Sequence, residues 1–286
     1  MNTVSKIAIS LFSFVATAVA LVAQPNYMMT ESGAQVKTPV RDNFYDRTLH
    51  KEKMPLAPEY VNERDVMWEK RIWREIHVKT KRNHPFNYAP RPLAKILLEL
   101  VKNGDATAYG TGDDEFTTPL CADDISNLLN TKETIIVLDP ETMKETEVVV
   151  ENAFDFNRIS RFRLKEVWYF DSKYSKLNVR ILGIAPIMTR LDDFGNVLFE
   201  GPICWFYYPE LREVLNREEA FNEGNDAARM TWTDMFDARL FESVITKESN
   251  VHDRRIQDYK TGIDGLVEAE KIKEGIFNFE HDMWEY

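Results

Sequence analysis

The spacing of apolar residues along this chain changes from helical to strand-like and back, and that order constrains the fold more than any other feature. In the central part, short β-branched or aromatic runs are separated by turn residues, which is typical of antiparallel strands. One run is interrupted by a charged residue, Glu166. The pattern predicts a β-meander over residues 133–208, with strands at Ile135–Leu138, Val148–Val150, Phe162–Phe170, Val179–Ala185, Val197–Phe199 and Ile203–Tyr208.

Helical spacing precedes this meander. Pro92 begins a stretch with an i, i+3, i+4, i+7 apolar stripe that ends at Gly104, which predicts a helix. Further upstream, apolar residues recur every four positions and predict an amphipathic helix, or a helix leading into a strand; these residues are Trp68, Ile72 and Ile76. A short helix is also predicted around residues 117–130, with four residues directed inward: Leu120, Ile125, Leu128 and Leu129.

Helical spacing returns after the meander. A capping box from Thr231 to Asp234 introduces a broad apolar stripe, formed by Trp232, Met235, Phe236, Leu240, Phe241, Val244 and Ile245. A second helical region runs from Ile263 towards Tyr286. Helices, then strands, then helices, without β-α-β alternation, predict an α+β fold. We expect a single domain over 59–286, with helical parts at 59–130 and 209–286 around the meander.

The amino-terminal residues predict a cleavable secretory signal. Lys6 precedes an apolar stretch, Ile7–Val22, in which the polar positions are small hydroxyl residues. Cleavage is expected after Ala20, which completes an A-x-A sequence, or after Ala23. A permanent membrane anchor needs roughly 20 apolar residues. We therefore predict a signal peptide over residues 1–23.

Residues 24–58, called the arm below, lack periodic apolar residues and carry several prolines among charged residues and turn formers. This composition predicts an extended segment without its own core, preceding the α+β domain. The arm nevertheless has aromatic and aliphatic residues spread along it, namely Tyr27, Phe44, Tyr45, Leu49 and Met54. We expect these five side chains to be anchors that order the arm on a neighbouring subunit.

The charge and cysteine content limit the possible partners and chemistry. The formal net charge is −11, whereas nucleic-acid binding relies on clustered Lys and Arg, so nucleic acid is not an expected partner. The two cysteines, Cys121 and Cys204, are far apart and form no C-x-x-C motif. They either form a single bridge or are buried free thiols, since apolar residues flank both.

The string around Asp113, Asp114 and Glu115 is the most site-like feature of the sequence. Its glycines do not complete a dinucleotide fingerprint, and adjacent acids seldom converge on one cation. We therefore interpret it as a polar turn. The five histidines are scattered without zinc-site spacing. Two aromatic runs, Trp168–Asp171 and Cys204–Glu210, are expected to pack in a core rather than to form a carbohydrate platform. No catalytic residue, cofactor or metal ligand is assigned.

Six long sequence stretches, which cover nearly all of the chain from about Pro58, resemble the GldN/PorN family. They are DVMWEKRIWREIHVKTKRNHPFNY (Asp65–Tyr88), AYGTGDDEFTTPL (Ala108–Leu120), VRILGIAPI (Val179–Ile187), WFYYPELREVL (Trp205–Leu215), AFNEGNDAARMTWTDMFDARLFESVITKESNVHDRRIQDY (Ala220–Tyr259) and EAEKIKEGIFNFEHDMW (Glu268–Trp284). The arm is outside this resemblance, and the segment 139–157 resembles the family only weakly.

The resemblance implies a non-catalytic, periplasmic component of the type IX secretion and gliding motility machinery. Family members associate with an outer-membrane lipoprotein, GldK or PorK, in a ring-like assembly at the inner face of the outer membrane. They also meet the periplasmic part of the motor protein GldM or PorM. The alternative is a periplasmic hydrolase or glycan-binding enzyme that uses the acidic string Asp113–Glu115. A scaffold is expected to be a large oligomer or to need its partner, whereas an enzyme acts alone.

Overall fold

The computed structural model describes residues 54–112, 114–121, 123–125, 131–138, 145–152, 154–191 and 197–284, together with two short strands nearer the amino terminus. The chain divides into two units, Met1–Leu49 and His50–Tyr286. In the first unit, strand β1 (Tyr27–Met29) pairs antiparallel with β2 (Gln35–Lys37).

The second unit contains twelve further strands and four α-helices among its described residues. The strands are β3 (Val66–His77), β4 (Ala108–Tyr109), β5 (Pro119–Leu120), β6 (Thr131–Leu138), β7 (Glu145–Asn152), β8 (Ile159–Asp171), β9 (Lys176–Leu191), β10 (Val197–Pro202), β11 (Trp205–Tyr207), β12 (Glu219–Ala220), β13 (Met230–Thr231) and β14 (Val244–Glu248). The helices are α1 (Leu93–Asn103), α2 (Tyr208–Leu215), α3 (Trp232–Asp237) and α4 (Ile263–Trp284).

Eight of these strands form one antiparallel sheet in the order β14-β3-β8-β9-β11-β4-β5, with β10 also paired to β9. The hairpin β6–β7 and the pair β12–β13 are separate two-stranded sheets. An antiparallel sheet accompanied by helices from both flanks of the sequence confirms the α+β class. The predicted strands Ile135–Leu138 and Val148–Val150 lie within β6 and β7, which pair with each other but not with the described strands of the main sheet.

Of the two alternatives predicted around Trp68, Ile72 and Ile76, the amphipathic helix is wrong, because all three residues belong to strand β3. The other alternative, a helix leading into a strand, is closer, since a short 3-10 helix, Glu63–Asp65, precedes β3. A spacing of four residues fits one face of a helix and also one face of a strand, so it does not separate the two. In the structure, β3 pairs with β8 along its length and with β14 on its other side. Trp73 lies on the opposite face of the strand from Ile72 and is buried as well. A helix with this apolar spacing would not bury the adjacent residues Ile72 and Trp73 so completely.

The broad stripe predicted after Thr231 is only partly helical. Helix α3 ends at Asp237, and Val244 and Ile245 lie in strand β14, so the prediction that they share the helical stripe is wrong. The capping box itself is confirmed: the Asp234 amide donates to Thr231 Oγ1 at 3.1 Å, and the Thr231 amide donates to Asp234 Oδ2 at 3.2 Å. A left-handed residue, Arg239 (φ 52°), follows the helix and turns the chain.

Helices α1 and α4 lie where the sequence predicts them. Pro92 is the N-cap of α1, and Gly104 ends it with φ 79°, a conformation that favours glycine. Within the short helix predicted over 117–130, Pro119–Leu120 form strand β5 instead, and the described residues 123–125 are helical. Leu128 and Leu129 lie outside the described residues.

The main core lies between one face of the sheet and the helices α1, α2 and α3. Phe86 is at its centre, with ring centroids 5.2 Å from Trp232, 5.5 Å from Phe162 and 5.9 Å from Phe236. These aromatic contacts add to the area that the side chains bury. They join the sheet to a segment upstream of α1 and to helix α3.

Glu166 is the residue that interrupts the apolar alternation of β8. Its side chain is fully buried, and charged side chains surround it. Its carboxylate accepts from Arg239 Nη2 at 2.8 Å and from Trp168 Nε1 at 3.0 Å. Arg74 Nε lies 3.5 Å from the same carboxylate. Glu166 thus joins β3, β8 and the turn after α3.

The two arginines of this cluster also flank one aromatic ring. The guanidinium carbons of Arg74 and Arg239 lie 5.7 and 5.6 Å from the Trp168 ring centroid. Burial lowers the pKa of Arg74, and the Glu166 charge opposes that shift. Because a buried charge is costly unless it is paired, each guanidinium depends on the Glu166 carboxylate.

We expect Glu166→Gln to lower the free energy of unfolding by roughly 3 kcal/mol, because it leaves two guanidinium groups in the interior without their anion. Urea titration followed by tryptophan fluorescence measures the change. The matched control is Glu69→Gln in the same sheet, where an exposed carboxylate lies 3.8 Å from Arg71 and the expected loss is below about 0.5 kcal/mol. Equal urea midpoints for the two variants would contradict this role for Glu166.

Both cysteines are free thiols, and their environments differ. Cys121 is exposed, whereas Cys204 is fully buried in the main core. Burial raises the pKa of the Cys204 thiol to about 12. Of the two alternatives that the sequence left open, the structure therefore has free thiols rather than a bridge, and the thiol is buried only in Cys204.

We expect one equivalent of thiol to react with a disulfide reagent at pH 8 in the native protein, and two after denaturation in guanidinium. The thiolate is the reactive form, and Cys204 is both inaccessible and protonated at that pH. Absorbance of the released thiol counts the equivalents. Cys121→Ser is expected to abolish the native reaction, whereas Cys204→Ser leaves it unchanged; zero equivalents from denatured, unreduced protein would indicate a bridge.

A charged cleft on the second face of the sheet

The face of the sheet opposite the main core carries a cleft of about 520 Å³. Three side chains from the sheet form its floor: Trp73 of β3, Lys165 of β8 and Trp205 of β11. One wall is formed by Thr111, Gly112, Asp114 and Glu115, and the other by residues between 246 and 255, in and after β14. The cleft therefore contains two residues of the acidic string that the sequence singled out, Asp114 and Glu115.

Alternation along β8 places the basic side chains on this face. In the sequence Arg161-Phe162-Arg163-Leu164-Lys165, the two apolar residues are buried in the main core. Since successive residues of a strand point to opposite faces, the three basic residues are directed to the second face. Lys165 is only 4% exposed there, which is rare for lysine.

Lys165 fastens the acidic turn to the floor of the cleft. Its Nζ donates to the Asp114 carbonyl oxygen and lies 3.4 Å from Asp114 Oδ1. The same Nζ lies 5.7 Å from the ring centroid of Trp73 and 5.5 Å from that of Phe116. Trp73 Nε1 donates to Asp114 Oδ2. Asp114 is thus a structural residue that satisfies a buried lysine and an indole.

Phe116 follows the acidic turn and packs onto an aromatic cluster. Its ring centroid lies 5.4 Å from Tyr207, 5.6 Å from Tyr109 and 6.2 Å from Trp205. The close approach depends on Gly183 of β9, where an added Cβ would lie 2.6 Å from Phe116 Cζ. A residue without a side chain at position 183 therefore lets the turn lie against the sheet.

A second carboxylate holds the arginines of β8. Glu75 of β3 is 5% exposed; it accepts from Arg163 Nη2 at 2.6 Å and from Arg161 Nη1 at 2.8 Å. Arg161 also contacts Glu200 of β10. Burial raises the pKa of Glu200, but hydrogen bonds and the charge of Arg161 outweigh it, so the pKa is lowered overall. This network orders the end of the cleft next to β10.

The other wall carries Lys247, whose Nζ lies 4.4 Å from the Trp73 ring centroid and 2.5 Å from Asp253 Oδ1. Trp73 therefore has two ammonium groups near its ring and a carboxylate on its indole nitrogen. Such a surface favours anions beside an apolar floor. The described residues contain no group of three or more His, Cys, Asp or Glu side chains that would hold a metal ion; Asp113 lies outside them.

The structure describes the predicted site residues only in part. Of the five arm anchors, Phe44, Tyr45 and Leu49 lie outside the described residues, and Tyr27 is described only as part of strand β1. Met54 is 82% exposed. The docking of these five residues on a neighbouring subunit therefore stays a prediction.

The two aromatic runs pack as expected. Tyr169 and Phe170 are buried, as are Trp205 and Phe206. The sequence pattern was interpreted only through the apolar residues of β8. The basic side chains that alternate with them were therefore not predicted as part of a site. The signal was present in the same residues, because Arg161, Arg163 and Lys165 occupy every second position.

Comparison with known proteins gives one family. The family model described as "Gliding motility associated protein GldN" matches residues 61–285, in agreement with the resemblance drawn from the sequence. No curated protein matches the chain. Within the part of the chain that the structure describes, no helix has the length and apolar character needed to cross a membrane.

We expect Gly183→Ala to lower the free energy of unfolding by about 1–3 kcal/mol, because the new methyl group displaces Phe116 and strains the packed turn. Gly112→Ala in that turn is the matched control, since nothing lies within 4 Å of an added Cβ there. Chemical denaturation measures both variants. A Gly183→Ala protein as stable as the Gly112→Ala protein would show that the turn does not depend on this approach.

Proposed function

This chain belongs to the GldN family of gliding motility and type IX secretion components, and from that membership we propose a more specific role. The protein is a non-catalytic structural subunit that builds a periplasmic ring-like complex with an outer-membrane lipoprotein of the GldK/PorK type. It self-associates in this ring at the inner face of the outer membrane and contacts the periplasmic part of GldM/PorM. The observation that carries the proposal is the family match over residues 61–285, nearly the whole α+β domain.

The predicted signal peptide supports the periplasmic location, since it directs the chain out of the cytoplasm. The contacts of Asp114 support a structural rather than a catalytic use of the acidic turn. Its carboxylate is held by Trp73 and Lys165, whereas a general acid or base needs access to a substrate proton. No observation favours the alternative of a periplasmic hydrolase or glycan-binding enzyme.

We further propose that the arm, residues 24–58, lies across the lipoprotein partner. The arm precedes the matched region. Its described carboxyl-terminal part exposes apolar side chains, with Met54 82% and Leu56 88% exposed. A segment that orders on binding loses conformational entropy and must recover it through such anchors. This cost suits a permanent assembly, in which the arm is ordered once.

We expect deletion of residues 24–58 from the mature protein to leave the far-ultraviolet circular dichroism of the α+β domain nearly unchanged, because the arm adds little to its core. Co-purification with the co-expressed lipoprotein is expected to fall at least about tenfold, as anchors that each contribute about 1 kcal/mol or more are lost. Quantitative pull-down from detergent extracts measures the loss.

A full-length pair of variants separates the anchors from the length of the arm. In one, Tyr27, Phe44, Tyr45, Leu49 and Met54 are all replaced by Ser; in the other, five polar residues of the arm are replaced by Ser instead. Only the first variant is expected to lose the lipoprotein. If the truncated chain retains the lipoprotein as tightly as the intact mature chain, the arm is a spectator and this proposal fails.

A further inference from the structure

The cleft on the second face of the sheet concentrates positive charge in an acidic protein. The chain has a net charge of −11, yet five basic residues line the cleft: Arg71, Arg163, Lys165, Lys247 and Arg255. Its described acidic lining residues are Asp114, Glu115 and Asp253. Local potential at a concave site depends on the charges that surround it rather than on the net charge. The cleft therefore presents cations to an anion despite the negative net charge of the chain.

Three of the basic groups retain the capacity to bind a further anion. Arg71 is about half exposed, and its Nε lies 3.8 Å from Oε1 of Glu69, which is about equally exposed. At this distance, water competes with the carboxylate for the guanidinium group. Arg255 has no carboxylate within 4.0 Å among the described residues. Lys247 is paired with Asp253, but that partner is 80% exposed and its charge is screened by solvent.

The remaining two basic groups shape the cleft and do not bind a further anion. Arg163 is engaged by buried Glu75, and Lys165 by Asp114. Their pairing keeps the floor rigid, and the floor residues Trp73 and Trp205 are themselves only 7% and 3% exposed. A ligand that matches this surface therefore has anionic groups for the exposed cations of the rim.

The acidic lining residues narrow the class of anion. Dense polyanions such as polyphosphate bring several charges close together, and the carboxylates of the cleft wall would repel them. A polypeptide spaces its carboxylates along the chain, so that each can meet a guanidinium while backbone N–H groups meet the acidic wall.

We propose that this cleft is a docking site for an acidic segment of a partner polypeptide, in which carboxylate side chains alternate with small residues. The carboxylates bind Arg71, Lys247 and Arg255, above the buried rings of Trp73 and Trp205. The described lining residues all lie outside residues 24–58, and the proposal does not depend on the proposed ring assembly or on the lipoprotein.

The test uses the purified mature chain and two synthetic peptides with blocked ends, one alternating glutamate with alanine and the other alternating glutamine with alanine. We expect the glutamate peptide to bind and the glutamine peptide not to bind, as measured by fluorescence anisotropy of a labelled peptide. Arg71→Gln combined with Arg255→Gln is expected to weaken binding at least about tenfold, since each charge-assisted hydrogen bond contributes about 1.5–3 kcal/mol. Added salt is expected to weaken it further.

The matched control combines Arg64→Gln with Arg217→Gln, which removes the same charge from positions outside the cleft lining and is expected to leave the affinity within about twofold. Thermal unfolding of both double variants checks that they remain folded. The proposal is overturned if the glutamate peptide does not bind, or if both double variants lower its affinity equally. It is also overturned if inorganic polyphosphate binds the cleft as tightly as the peptide does. Because no lipoprotein is present, each of these outcomes leaves the assembly proposal unaffected.

Discussion

The difference between the two faces of strand β8 is the constraint on which the rest of the structure depends. On one face, Phe162 and Leu164 pack against the helices and Phe86; on the other, Arg161, Arg163 and Lys165 meet carboxylates of β3, β10 and the acidic turn. A register slip of one residue would bury three cations in the main core and expose its aromatic residues. The register of β8 therefore fixes the positions of β3 and β9, and through them the rest of the sheet.

Glu166 is the exception to this alternation, and its position explains why the interruption is tolerated. A bulge between Lys165 and Glu166 shifts the register with β9, and the buried carboxylate gathers Arg74 and Arg239 from distant parts of the sequence. Buried ion pairs stabilise a fold weakly compared with apolar packing, but breaking one is costly. We infer that the cluster determines how the turn after α3 packs against the sheet.

The sequence predicted the α+β class, the helices α1 and α4 and the strands of the meander, because each has a local signature: a capping proline and glycine for α1, and β-branched or alternating residues for the strands. It left β3 open between a helix and a helix leading into a strand, because a four-residue spacing is common to helices and strands, and it did not predict β14, whose residues Val244 and Ile245 continue a helical stripe in sequence alone. Their strand conformation comes from pairing with each other and with β8. The cleft was missed for a related reason, since its groups are distant in sequence and only the sheet brings them together.

The strand order has a consequence for when this chain can fold. Strand β3, near the start of the domain, lies between β8 and β14, and β14 ends only at Glu248. Neither the sheet nor the Glu166 cluster can be completed before most of the chain is available, and contacts between such distant segments slow folding. For a chain that is exported as proposed above, slow folding is an advantage, because it keeps the polypeptide threadable until it has crossed the inner membrane.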